Sequence, residues 1–157
     1  MKNLLLILLP LISFAQLQNI DYSGMNTINI WRKEEIIKVT IHELFHLFNC
    51  DGHRNDTYEI IQLYQKRYNI SSNKINTFEA YTEIWANIIN CFLLSGGDYT
   101  IFVQNLSIEK EWCKFQSQKI LSINKIQDIN RNTNTLAYFI IRCEIYNNLK
   151  IFIKIFG

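Results

Sequence analysis

With 157 residues the chain has the length of one domain, and 48% apolar and 13% aromatic residues against 19% charged ones exclude a disordered polar chain. The net charge is +2 with the basic residues scattered, so no electrostatic stripe marks nucleic acid as a partner. Neither an internal repeat nor a Gly/Ser- or Pro-rich linker divides the sequence, and a single domain over 19–157 is expected.

At the start, Met1-Lys2-Asn3 precedes the apolar run Leu4 to Ile12, and Ser13-Phe14-Ala15 offers small residues at cleavage-site spacing. Residues 1–15 therefore have the layout of a signal peptide cut between Ala15 and Gln16, with a buried first strand or helix of the fold as the competing reading. The run is too short for a comfortable transmembrane helix, so no stable membrane span is expected. Cys50, Cys91, Cys113 and Cys143 are an even set that permits two disulfides in an oxidising compartment. They form no CxxC pair and read equally as buried small hydrophobes.

Residues 27–31, Thr-Ile-Asn-Ile-Trp, alternate like a short strand after the turn-like Asp21-Tyr22-Ser23-Gly24. From Arg32 to about Asn49 the period becomes helical, with Ile36, Val39, Leu44 and Leu47 as buried candidates and Glu34 placed to pair with Lys38. Cys50-Asp51-Gly52 ends that helix. A second helix is expected over Thr57 to Arg67, followed by the polar connection Asn69 to Lys74. The third begins where Asn76 can cap it with Glu79 three residues on, runs through Trp85, Ile88, Ile89 and Phe92, and stops at Ser95-Gly96-Gly97. Asp98 caps a fourth helix to about Ile120, and a last one spans Thr135 to Tyr146. The fold class expected is mainly α (α+β), with two or three short strands near residues 27–31 and the N-terminus.

Chemistry concentrates in His42-Glu43-Leu44-Phe45-His46, an HExxH pattern that takes two of the three histidines. Histidines four apart on a helix share a face with Cβ atoms about 5–6 Å apart, so both imidazoles reach one ion. Glu43 lies beside them, where its carboxylate can act as a general base on a metal-activated water. A competing reading makes these histidines the polar side of an amphipathic helix. The motif needs a third ligand. An HExxHxxGxxH form would require Gly at 49 and His at 52, where this chain has Asn49 and Gly52, and its downstream methionine is missing. The alternative is Glu79-Ala80-Tyr81-Thr82-Glu83, 33 residues after His46, whose carboxylates fall four apart on one helical face. Glu79 is the ligand candidate, and Glu83 the candidate hydrogen-bond partner for the far nitrogen of a histidine ligand. Against this, Glu79 reads as a capping-box residue and Glu83 as a solvated helix residue.

His42, Glu43, His46 and Glu79 resemble the motif positions of the gluzincin metallopeptidases. More closely, Trp31-Arg32-Lys33-Glu34-Glu35, Lys38-Val39, the HExxH segment, Asp51, residues 79–86 and Tyr138-Phe139-Ile140-Ile141-Arg142 resemble uncharacterised metallopeptidases of large DNA viruses over about residues 19–148. The resemblance implies a minimal zincin-like domain holding one zinc ion through His42, His46 and Glu79. It implies hydrolysis of a peptide or protein substrate with Glu43 as base. It also draws residues 20–27 into the domain and makes the apolar N-terminus a shortened family segment, which sets an intracellular site in an infected cell against export. A further donor to the oxyanion is expected, with His53, Tyr68, Tyr81 and Tyr138 as candidates among which the sequence does not choose. The segment Ile28 to Ile30 is a candidate edge for substrate pairing. Two rival classes are a zincin-like binding protein without proteolysis and a membrane-associated protein using the apolar runs at the two ends. The presence of Glu43 argues against both, since a purely structural metal site has no use for a base.

Overall fold

The computed structural model describes residues 35–52, 55–122 and 134–157. Along these the chain forms α1 (Ile36–Leu47), α2 (Tyr58–Tyr68), α3 (Thr77–Leu94), α4 (Tyr99–Leu121), a π-helical segment (Leu136–Ile141), α5 (Arg142–Asn147) and α6 (Leu149–Phe156). The architecture is mainly helical, and no strand occurs among the described residues. The expected strand at 27–31, Glu34, His53 and the 1–15 segment lie outside them.

The helix boundaries follow local chemistry. Thr57 caps α2 by accepting from the Ile60 amide at 3.4 Å, and Asp98 caps α4 by accepting from the Ile101 amide at 3.0 Å. Glycines at positive φ, Gly96 and Gly97, take the chain out of α3. The start of α3 departs from expectation. Asn76 sits in the left-handed region with φ +59° and its side chain does not cap. Instead Asp56, from before α2, accepts from the Asn76 and Thr77 amides at 2.6 and 3.1 Å, while the Asn76 amide side chain turns to Asn134. The capping box between Asn76 and Glu79 is therefore not formed, and the Glu79 carboxylate is directed elsewhere.

α3 is the pillar of the fold, packing against α1, α4, α5 and the π-helical segment. A helix contacted on so many sides must be apolar around most of its circumference, and Ala80, Ile84, Trp85, Ala86, Ile88 and Cys91 are all buried. One core cluster joins Ile84, Trp85 and Ile88 to Phe45 of α1, Phe102 and Cys113 of α4, and Phe152 of α6. A second joins Ala80 to Tyr64, Ile75, Leu136 and Ile140. In α1 the buried residues are His42 and Phe45, whereas Ile36, expected inside, is 49% exposed. The helix turns its polar stripe inward, because α3 meets it there with Glu79 and Glu83.

The last helical stretch is longer and less regular than the sequence indicates. It opens as a π-helix, and α6 follows α5 after Asn147. In α6, Phe152 is buried against Trp85 and Tyr81, while Ile151 and Ile155 are exposed. No helix among the described residues is long and apolar enough to cross a membrane. All four cysteines are free thiols, three of them buried.

Candidate metal centre

α1 and α3 run antiparallel, which brings His46 and His42 against Glu79 at one level and His42 and Lys38 against Glu83 one turn further. The Nε2 atoms of His42 and His46 lie 3.0 Å apart. Glu79 Oε2 is 3.3 Å from the first and 3.6 Å from the second. His42, His46 and Glu79 form a group that can hold a metal ion.

The other ring nitrogens fix the tautomers. His42 Nδ1 is 3.1 Å from Glu83 Oε2, and His46 Nδ1 is 2.8 Å from Asp51 Oδ2. An ionised carboxylate only accepts, so each Nδ1 carries the proton and each neutral ring presents an Nε2 lone pair. Two lone pairs and a carboxylate oxygen then converge on one point, an arrangement that repels itself unless a cation sits among them. Without a metal ion that cation is a proton. Burial disfavours the charged form of His42, but the Glu79 and Glu83 carboxylates outweigh it and raise its pKa to about 9. The Glu79 hydrogen bond raises that of His46 against its own burial. Burial works against ionised Glu83 as well, and the His42 hydrogen bond with the Lys38 and Arg142 charges brings its pKa down to about 2. Glu79 is lowered too, its hydrogen bonds from His42, His46 and Tyr138 overcoming burial.

Asp51 reaches His46 because of how α1 ends. Asn49 adopts φ +52°, the Cys50 amide donates to the Phe45 carbonyl at 2.8 Å and the Asn49 amide to the His46 carbonyl at 3.2 Å. This is a Schellman closure with asparagine in the left-handed position. It folds the chain back so that Asp51, 1% exposed, lies under the imidazole. Asn49, not Gly52, makes the turn that the sequence assigned to Cys50-Asp51-Gly52. The partnership of Asp51 with His46 was not read from the sequence; its signal is an acidic residue just beyond a left-handed Asn that follows the second histidine.

Glu83 is the hub of a second network. Its Oε1 accepts from Lys38 Nζ at 2.8 Å and from Arg142 Nη1 at 2.7 Å. Arg142 Nε in turn donates to Cys113 Sγ at 3.3 Å. Lys38 and Arg142 were likewise not singled out as site residues, because nothing local marks a lysine or an arginine as inward-facing.

Of the candidate oxyanion donors, the structure brings Tyr138 to the centre. The π-helical segment aims its hydroxyl at Glu79 Oε2, 2.8 Å away, and its ring stands 6.0 Å from that of His42. Burial, with the nearby carboxylates of Glu79 and Glu83, outweighs a hydrogen bond with Asn134 and pushes the Tyr138 phenol up. Tyr68 is not brought there: its hydroxyl donates to Glu144 at 2.6 Å, in a clamp shared with Tyr64 and Arg67. Nor is Tyr81, which packs against Phe152 and Phe156 in the core and rim of α6.

Glu43, half-buried, lies beside a cleft of about 960 Å³ whose wall includes His42, Glu83, Tyr138, Trp112 and Phe139. The candidate base, one candidate ligand and the phenol thus border a single space of the size that small-molecule and peptide sites occupy. No family model, curated protein or solved structure matches the chain.

Proposed function

We propose that this chain is a zinc-dependent peptidase of the gluzincin type, with His42, His46 and Glu79 as metal ligands and Glu43 as general base. The observation that carries the reading is the convergence of the two Nε2 atoms and Glu79 Oε2 at 3.0, 3.3 and 3.6 Å from one another. A tetrahedral zinc ion with bonds of about 2.0–2.1 Å sets its ligand atoms roughly 3.3 Å apart, and two imidazoles with one carboxylate are a donor set of catalytic zinc sites. When bound, zinc lowers the pKa of water towards neutrality and polarises a carbonyl.

The chain's own residues would supply the rest. Glu83 and Asp51 hold the two rings with their Nε2 lone pairs inward. Glu43, at the cleft, takes a proton from the attacking water and returns it to the leaving nitrogen. Tyr138, a donor to Glu79 at 2.8 Å, would turn its hydroxyl to a substrate carbonyl. The test uses the full chain: one zinc per molecule, and cleavage of casein that a chelator stops and added zinc restores. Bound zinc with no cleavage would point instead to a zincin-like binding protein. Absence of bound zinc would sink the reading.

A further inference from the structure

Arg142 is 6% exposed and Glu83 7%, and they meet deep between α3, α4 and α5. Removing such a pair from water costs several kcal/mol per ion, and a well-packed apolar pair of the same size is often as stable or more so. The ion pair therefore needs a reason beyond stability. Its position suggests one. Glu83 divides its two oxygens: Oε1 receives Arg142 Nη1 and Lys38 Nζ, while Oε2 faces His42 Nδ1. Lys38, on a flexible stem and with its side chain 20% exposed, is a poor anchor. Arg142 is a rigid one: its planar fork is fixed at two points, Nη1 on Glu83 and Nε on Cys113 Sγ, and Cys113 is wholly buried in α4.

Resting on the metal-centre reading above, we propose that Arg142, seated on Cys113, is a positioning residue of the metal centre, which acts through Glu83 to hold His42 in the orientation and tautomer that ligate the ion. The chain of contacts is Cys113 Sγ, Arg142, Glu83, His42 Nδ1, and it joins α4, α5, α3 and α1 in that order. Lysine at 142 would keep the charge but lose the two-point seat, since an ammonium on a flexible stem cannot hold the thiol and the carboxylate in one plane. Because Arg142 acts through Glu83, its contribution to metal binding disappears once Glu83 can no longer orient His42.

The experiment is a double-mutant cycle on the full chain, reading zinc affinity by competition with a fluorescent chelator and folding by urea titration in parallel. Arg142→Met and Glu83→Gln are each expected to weaken zinc binding by about 10–100-fold, the usual scale for groups that orient a ligand. The double variant should bind zinc no more weakly than Glu83→Gln alone. Wild-type affinity in Arg142→Met, or losses that multiply in the double variant, overturns the proposal while leaving the zinc site standing. If the wild-type chain binds no zinc, the metal-centre reading falls and this proposal with it. Should Arg142→Met lose its helical circular dichroism, Arg142→Lys takes its place in the same cycle. The same non-additivity with Glu83→Gln is expected there, and additive losses overturn the proposal.

Discussion

Glu79 shows how much one carboxylate's direction decides. As a capping-box residue it would point back at Asn76, but Asp56 takes that duty, and Glu79 turns to His42, His46 and Tyr138. Glu79→Gln therefore leaves the cap intact, and its effect on zinc reads the ligand role alone. It should abolish zinc binding, whereas Glu83→Gln should weaken it by roughly 10–100-fold. Full zinc occupancy in the first with loss in the second would reverse the assignment. The same residues set a pH signature for the metal-free protein. His42 rises from 6.5 to about 9, so the stability this ionisation contributes is complete below pH 6.5 and lost as pH climbs through 9. Glu83 falls from 4.5 to about 2, so its contribution is complete above pH 4.5 and lost as pH drops through 2. Urea unfolding with excess chelator should show greatest stability between pH 4.5 and 6.5. A midpoint still rising from pH 6.5 to 9 would contradict the His42–Glu79–Glu83 coupling.

At the scale of elements, what could be read in advance was what is local. The 3.6-residue period marked α2, α3 and α4 nearly to their ends and the C-terminal end of α1, and Asp98 caps as its place before an apolar run suggests. HExxH spacing placed His42 and His46 together, because four residues on a helix is itself a statement about geometry. Hidden was what depends on distant partners. Asp56 caps α3 from 20 residues upstream, Arg142 is drawn inward by Glu83 and Cys113, and the π-helical turn that carries Tyr138 leaves no periodic trace. Burial of Ile36 was expected from the helical period of the apolar residues, whereas α3 meets α1 on its polar stripe and Ile36 stays exposed. The non-local cap is measurable: Asp56→Ala should cost about 1–2 kcal/mol in urea unfolding, since three hydrogen bonds at the start of α3 are lost together. An unchanged midpoint would mean that the Asn76 side chain can replace it.

For the whole molecule, the governing feature is that a single helix serves as core pillar and also carries the carboxylates that face the two histidines. Ile84, Trp85 and Ile88 of α3 anchor the main core, and Glu79 and Glu83 on its other face meet the histidines of α1. Packing of α3 against α1 therefore brings Glu79 to the two histidines, and the π-helical segment and α5 add Tyr138 and Arg142 beside the two carboxylates. The proposed activity is cleavage of peptides by this centre working with Glu43. It is tested most directly by comparing wild type with Glu43→Gln at equal zinc content on casein. The proposed role of Glu43 requires one zinc per chain in both, chelator-sensitive cleavage by the wild type, and a rate at least about 100-fold lower in the variant. Cleavage by Glu43→Gln at the wild-type rate would contradict it.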